Sequence, residues 1–164
     1  MTRVVVVADT HVAAGSSRRL PERAWTHLQT ADVILHAGDV VGPELLAELR
    51  ALAPLHAVLG NNDHRLAGLL PETVETVIDG VRVAMVHDSG ARARRSGRLH
   101  RRFPAADLVV FGHSHQPVNE EGVEGQRLLN PGSATWKRRA SNHALATVEL
   151  TAGRIADVRL VDLD

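Results

Sequence analysis

Short runs of branched aliphatic residues recur along the chain, and each one stops at a cluster of polar residues. Val4 to Ala8 is continuously apolar and β-branched at its first four positions, the pattern of a strand covered on both faces in a parallel sheet. It stops at Asp9-Thr10-His11. A small, polar loop follows over 13–19, and Pro21 stands at an early helix position that opens a helix over 22–29, with Trp25 and Leu28 toward the core. Val33 to Leu35 predicts a second strand, ending in His36-Ala37-Gly38-Asp39. Gly42-Pro43 then opens a helix to about residue 51, carrying Leu45, Leu46, Leu49 and Leu52 at helical spacing. Leu55 to Leu59 predicts a third strand, which ends in Gly60-Asn61-Asn62-Asp63-His64.

Farther on, Thr73 to Ile78 and Val81 to Val86 flank Asp79-Gly80, a strong hairpin signal that makes the sheet mixed. The second run leads into His87-Asp88-Ser89-Gly90. Residues 91–102 predict a helix with six arginines, closed by Phe103-Pro104. Leu108 to Phe111 runs directly into Gly112-His113-Ser114-His115. Beyond it, 116–121 and 126–129 surround a Glu-Gly turn, Asn130-Pro131-Gly132-Ser133 forms a tight loop, and 144–150 and 154–161 alternate around Ala152-Gly153. These read as antiparallel hairpins completing a second sheet. Helix–strand alternation followed by hairpins predicts an α/β (α+β) fold, a four-layer αββα sandwich of two mixed β-sheets flanked by helices, with one domain over 1–164.

Composition narrows the chemistry. Apolar residues make up 44% of the chain, yet there are only two Trp and two Phe, so the core is built from Val, Leu, Ala and Ile. Lys plus Arg equals Asp plus Glu at 19 each, which gives no general attraction to nucleic acid or to an anionic membrane. With no cysteine, disulfides, thiolate metal sites and Cys nucleophiles are excluded. The apolar run at the N-terminus is too short for a signal-peptide core, and no stretch is long enough to span a bilayer, so a cytoplasmic location is expected.

Five apolar runs end, in order, at Asp9/His11, Asp39, Asn61, His87 and His113/His115. In α/β sheets ligands bind beyond the carboxyl ends of strands, where loops converge. Four histidines, two aspartates and one asparagine make a nitrogen and oxygen set without sulfur, suited to borderline divalent metals such as Mn, Fe, Zn, Ni or Co. Seven side chains exceed what one ion uses, which implies two. Two divalent cations about 3.5 Å apart repel by roughly 19 kcal/mol at an effective dielectric of about 20, so something negative lies between them. Asp39 is the natural bridge. Two metals less Asp9, Asp39 and a bridging hydroxide leave about one positive charge, so the site suits an anion; the metals lower the pKa of the bridging water and clamp phosphoryl oxygens. Hydrolysis of a phosphate ester follows without a covalent intermediate.

Asp-x-His, Gly-Asp, Gly-Asn-x-Asp, His and Gly-His-x-His in this order resemble the calcineurin-like metallophosphoesterase family over about residues 3–161, and the Asn130–Ser133 loop resembles its compact YfcE-like phosphodiesterase branch. The resemblance implies a dinuclear phosphodiesterase acting on a small phosphate ester, with manganese the first expected metal. It implies one ion on Asp9, His11, Asp39 and His115, and another on Asp39, Asn61, His87 and His113. Two positions depart from the family pattern. Asn62 replaces a histidine that orients substrate or protonates the leaving group, so turnover depends on good leaving groups or on the neighbouring His64; Asn62, Asp63 and His64 are the catalytic candidates. Asp88 replaces the glycine after the metal histidine, placing a carboxylate where it can orient His87 or repel highly anionic substrates.

Asn62, Asp88, Arg94 and Arg95 are the candidate substrate contacts, although the arginines spread around their helix as a solvated face does. His36 reads as a core histidine, His27, His56, His100 and His143 as structural or exposed, Trp25 and Trp136 as packing residues, with Trp136, just after the Asn-Pro-Gly-Ser loop, also able to border the cleft, and Ser133 as a loop cap. Two other readings stay open: a scaffold like the non-catalytic subunit of a membrane-trafficking coat, and a nuclease, which the neutral charge disfavours. A homo-oligomer is compatible with the sequence.

Overall fold

A computed structural model describes all 164 residues. The first half alternates strand and helix: β1 (Thr2–Val7), α1 (Glu22–Leu28), β2 (Val33–His36), α2 (Pro43–Leu52) and β3 (Leu55–Ala57). β1, β2 and β3 lie parallel, with Val4 opposite Val33 and Ile34 opposite Leu55. The hairpin of β4 (Thr73–Ile78) and β5 (Val81–Val86) turns on Asp79 and Gly80, which hold φ of 47° and 80°. Positive φ at both central residues is what a tight two-residue hairpin requires. α3 (Arg95–Arg102), β6 (Leu108–Val110), β7 (Val118–Glu121), β8 (Arg127–Asn130), β9 (Ala144–Thr151) and β10 (Arg154–Asp162) complete the order.

The strands make two five-stranded mixed sheets, ordered β10-β9-β1-β2-β3 and β4-β5-β6-β8-β7. Because side chains alternate across a strand, the unbroken run in β1 serves two cores. Val4, Val6 and Ala8 face the second sheet and meet Val83, Met85 and Val110. Val5 and Val7 face the other way, onto Ala24 and Leu28 of α1 and Leu45, Leu46 and Leu49 of α2. On the outside of the second sheet, Val86, Val109, Phe111 and Leu128 pack against Leu99 and Phe103. The result is the expected αββα sandwich.

The C-terminal hairpin departs from expectation. It joins the first sheet, where β9 pairs antiparallel with β1 (Val4 opposite Val148), and only the β7–β8 hairpin completes the second. β9 is buried along most of its length, a pattern that needs partners on both flanks, and β1 and β10 supply them. Leu52 turns outward, and Trp25 packs only partly against the helix-side core. α3 begins at Arg95, after a loop over 91–94 that ends in left-handed Arg94. The guanidinium of Arg98 ties this loop down by donating to the carbonyls of Ser89 and Ala91. β1, β2, β3, β5 and β6 all point their carboxyl ends at one edge of the sandwich, where the polar clusters gather.

Candidate metal centre

Five of the seven expected ligands sit at left-handed backbone: Asp9 (φ 52°), His11 (47°), Asp39 (57°), His113 (68°) and His115 (58°). Such conformations turn the chain sharply at a strand end and aim successive side chains inward, at a cost that the surroundings must offset. A lattice of hydrogen bonds does so. The Asp9 and His11 amides donate to the carbonyls of Gly38 and Asp39, both at 2.9 Å. Ser133 Oγ donates to the Asp9 carbonyl at 2.7 Å, and the Asn130 side-chain amide donates to the Gly112 carbonyl at 2.9 Å. Glycines leave the necessary space. A Cβ at Gly38 would meet His87 Nδ1 at 2.6 Å, and one at Gly60 would overlap the Asp39 carboxylate.

The seven side chains converge. His11 Nε2 lies 3.3 Å from His115 Nε2, and His115 Nε2 lies 3.6 Å from Asp9 Oδ1. Asp39 Oδ2 is 3.5 Å from His11 Nε2 and also 3.5 Å from His87 Nε2. Asn61 Oδ1 lies 2.9 Å from His87 Nε2 and 3.0 Å from His113 Nδ1. Atoms bound at about 2.1 Å to one ion lie about 3.0–3.4 Å apart in octahedral or tetrahedral geometry, so these separations suit shared coordination. Two three-residue groups, Asp9/His11/His115 and Asp9/Asp39/His87, could each hold a metal.

The outer contacts fit as well. His87 Nδ1–H donates to the Ala37 carbonyl, and His115 Nδ1–H to the Trp136 carbonyl, which turns each Nε2 toward the cluster. Asp9 Oδ2 is buried with no hydrogen-bond partner, an anionic atom whose burial a cation would offset. Burial pushes the Asp9 carboxyl up to about 7 against the pull of His87. Burial likewise acts to raise Asp39, but hydrogen bonds from His87 and Asn62 outweigh it and hold that carboxyl well below the usual range. Burial lowers His11, and lowers His115 to about 4, keeping both imidazoles neutral as metal ligands must be. His87 goes the other way: burial opposes its charge, but Asp39, the Ala37 carbonyl and Asp9 together raise it.

The remaining candidates divide. Asn62 touches the site, its amide and its side-chain nitrogen donating to the two Asp39 oxygens at 2.8 and 2.7 Å. Asp63 lies buried beneath the site, where its carboxylate accepts the amides of Asp39, Gly60 and Val41 at 2.9, 2.7 and 2.7 Å. Three backbone donors occupy it, so it shapes the Asp39 loop. His64 is exposed on a short 3-10 turn. Asp88 does not orient His87, whose second nitrogen is taken by Ala37; it lies 4.0 Å from His113 Nε2 instead. Arg94 is exposed, and Arg95 stacks on Phe111 at 5.0 Å, on the outer face of the second sheet. His36 is a fully buried core histidine, within 2.9 Å of Thr10 Oγ1 and accepting the Gly38 amide. Trp136, read as a packing residue that could border the cleft, does lie at the site: its ring packs edge-on to His11 and His115 with centroids 5.3 Å away in both cases. Its only sequence mark is its place three residues after Ser133.

Comparison with known proteins agrees with this geometry. The calcineurin-like phosphoesterase superfamily domain matches residues 2–153. A probable metallophosphoesterase of Methanothermobacter thermautotrophicus is 36% identical over 137 residues, 81% of this chain and 77% of the relative. A second, from Methanocaldococcus jannaschii, is 31% identical over 136 residues, 81% of this chain and 68% of the relative. Among solved structures, wild-type Vps29 from Entamoeba histolytica complexed with zinc has a TM-score of 0.77 at 26% identity, covering 99% of both chains. A predicted phosphoesterase from Streptococcus pneumoniae shares the fold, with a TM-score of 0.73 at 24% identity over 98% of this chain and 89% of that one.

Proposed function

Because the chain belongs to the calcineurin-like phosphoesterase superfamily, we propose that it is a phosphodiesterase of small phosphate esters that works with two divalent transition-metal ions. Manganese is the first choice, with iron, zinc, nickel and cobalt as alternatives. The observation that carries the reading is the position of Asp39 Oδ2, 3.5 Å from both His11 Nε2 and His87 Nε2. One carboxylate oxygen thus stands between two groups of donors, where a pair of cations needs negative charge. Asp9, His11, Asp39 and His115 hold one ion; Asp39, Asn61, His87 and His113 hold the other.

When bound, such a pair activates water and draws charge from phosphoryl oxygens. The chain's own residues do the rest. The carbonyls of Ala37 and Trp136 fix the His87 and His115 rings, and Asp63 fixes the loop that carries Asp39. Asn62 reaches the centre with an amide, which donates a hydrogen bond but no proton. The leaving group therefore departs without an acid at that position, and acidic leaving groups are favoured. Asp88, near His113, adds negative charge at one end of the site.

The test is turnover of bis-p-nitrophenyl phosphate by protein purified without chelator, assayed with each of the five metals. Manganese-activated hydrolysis, faster for the diester than for p-nitrophenyl phosphate, is expected; no turnover with any of them overturns the proposal. The likeness to Vps29, a vacuolar protein sorting protein by name, favours a second reading as a binding scaffold. Metal content does not separate the two, since that relative was itself solved with zinc. Turnover does.

A further inference from the structure

Two arginines stand beside the site with nothing to neutralise them. The guanidinium of Arg18 lies 4.5 Å, and that of Arg138 4.6 Å, from the centre of the Trp136 ring. Neither forms an ion pair or a side-chain hydrogen bond, so every guanidinium N–H is free to meet an anion. The indole that holds them is itself fixed to the centre. Its carbonyl accepts His115 Nδ1–H, its amide donates to Ser133 Oγ at 2.9 Å, and its edges abut His11 and His115. Thr135 Oγ1 ties the same segment to the Thr10 carbonyl, and Arg138 is held at a left-handed φ of 49°. Both guanidiniums are close enough to act electrostatically on His11, and Arg138 also acts on Asp9 and His115.

The opposite end of the site carries the opposite sign. There the exposed Asp88 carboxylate approaches His113; of the arginines that follow, Arg95 stacks on Phe111, Arg98 ties the 89–91 loop, and the exposed Arg92 and Arg94 make no contact with any of the seven donors. The centre is therefore flanked by a cationic rim on its Asp9/His11/His115 side and by an anion on its Asn61/His87/His113 side. A simple diester has one negative charge, which the centre itself can meet. Two further unpaired cations held against the donors by Trp136, on the Asp9/His11/His115 side, call for a substrate with more charge on that side.

The geometry points to Arg18, Trp136 and Arg138 as a specificity rim for phosphate esters that carry a second phosphate beyond the scissile one. This deepens the phosphodiesterase reading and rests on it. In the reaction, water oxygen bonds to the scissile phosphorus, the P–O bond to the leaving group breaks, and a water proton ends on the leaving oxygen; the second phosphate stays intact against the guanidiniums. Arg18 and Arg138 bind it as charge and fork donors, while Trp136 holds the two guanidiniums beside the centre.

Two measurements test this. In the first, kcat/KM is compared for thymidine 5′-(p-nitrophenyl phosphate) and for the same ester with a 3′-phosphate, which share scissile bond and leaving group. The native protein is expected to prefer the 3′-phosphorylated ester at least tenfold, with the preference falling as salt rises. In the Arg18→Ala/Arg138→Asn variant, whose Asn tolerates the left-handed backbone, the ratio falls to about one. A native ratio near one, or a ratio unchanged in the variant, overturns the proposal. The second measurement needs no metal. With Trp25→Phe as background, Trp136 is the sole indole, and inorganic pyrophosphate titrated into the metal-free protein shifts its emission saturably and at lower concentration than phosphate does. That response disappears in the arginine variant; a response that persists there, or none in the parent, sinks the rim. If neither ester is turned over but pyrophosphate still binds in an arginine-dependent way, the hydrolase reading fails while the anion rim stands.

Discussion

Asp63→Asn isolates the part of the site that is held up from below. The Asp63 carboxylate accepts three backbone amides, the buried ones of Asp39 and Gly60 on Oδ2 and the part-buried one of Val41 on Oδ1. Two of the three donors belong to strained residues, Asp39 at φ 57° and the β-branched Val41 at φ 77°. Asparagine has the same shape but one acceptor oxygen. Placed to serve Asp39 and Gly60, its amino group faces the Val41 N–H, donor against donor. A hydrogen bond to a charged group is worth about 1.5–3 kcal/mol, and a buried donor left unpaired costs about 1–3 kcal/mol. The variant therefore loses about 2–4 kcal/mol, or roughly 5–15 °C in Tm for a chain of this size. Because the strain at Asp39 and Val41 is no longer clamped, metal stoichiometry falls as well. Urea unfolding in chelator gives the stability term, and metal analysis after dialysis against manganese gives the second. A variant that unfolds at the native urea midpoint and retains as much manganese as the native protein refutes the assignment of Asp63 as a support.

His36 should make stability pH-dependent. Its Nδ1 accepts the Gly38 amide, so the neutral ring carries its proton on Nε2 toward Thr10, and burial pushes its pKa down to about 3. The unfolded chain takes up that proton below about 6.5 while the folded one does not until about 3. Its contribution is thus complete above about pH 6.5 and is lost as pH falls toward 3, on the order of 4–5 kcal/mol in all. Urea midpoints measured in chelator should fall less steeply between pH 7.5 and 4.5 in His36→Gln than in the native protein; equal slopes count against it. Gly60→Ala has no left-handed backbone to strain, so its effect is the overlap of Cβ with Asp39. Metal affinity should drop about 10–100-fold, as for loss of a contact that orients a ligand, and isothermal titration with manganese showing native affinity would refute the crowding. Phe111→Ala removes a fully buried ring that carries Arg95 on its face, and should cost about 3–5 kcal/mol in urea unfolding.

What the sequence made legible was local. Continuous β-branched runs mark buried strands, and a polar cluster just after each one marks a carboxyl edge, so the seven donors could be named before their distances were known. Pairing is not local: nothing in the alternation of 144–150 says that β9 lies beside β1, because either sheet offers an apolar face. The supports were hidden for the same reason. Ser133 and Thr135 brace Asp9 and Thr10 from more than 120 residues away, and Asp63 reads as a catalytic candidate when only its place in the Gly-Asn-x-Asp motif is visible.

The conformation of the ligands was the deepest omission, and it explains why so many supports exist. Asp and His tolerate left-handed φ better than most residues, but each still costs about 1 kcal/mol or more. Five such residues amount to about 5 kcal/mol, comparable with the whole net stability of a small domain. A site with that cost survives only where its loops are pinned from outside, by Ser133, Thr135, Asn130, His36 and Asp63. These five residues contribute no donor to the cluster, yet without them the donors would relax toward ordinary backbone and point elsewhere. The residues that make the chemistry and the residues that make the geometry are different sets, and only the first lies at the strand ends where a sequence pattern shows it.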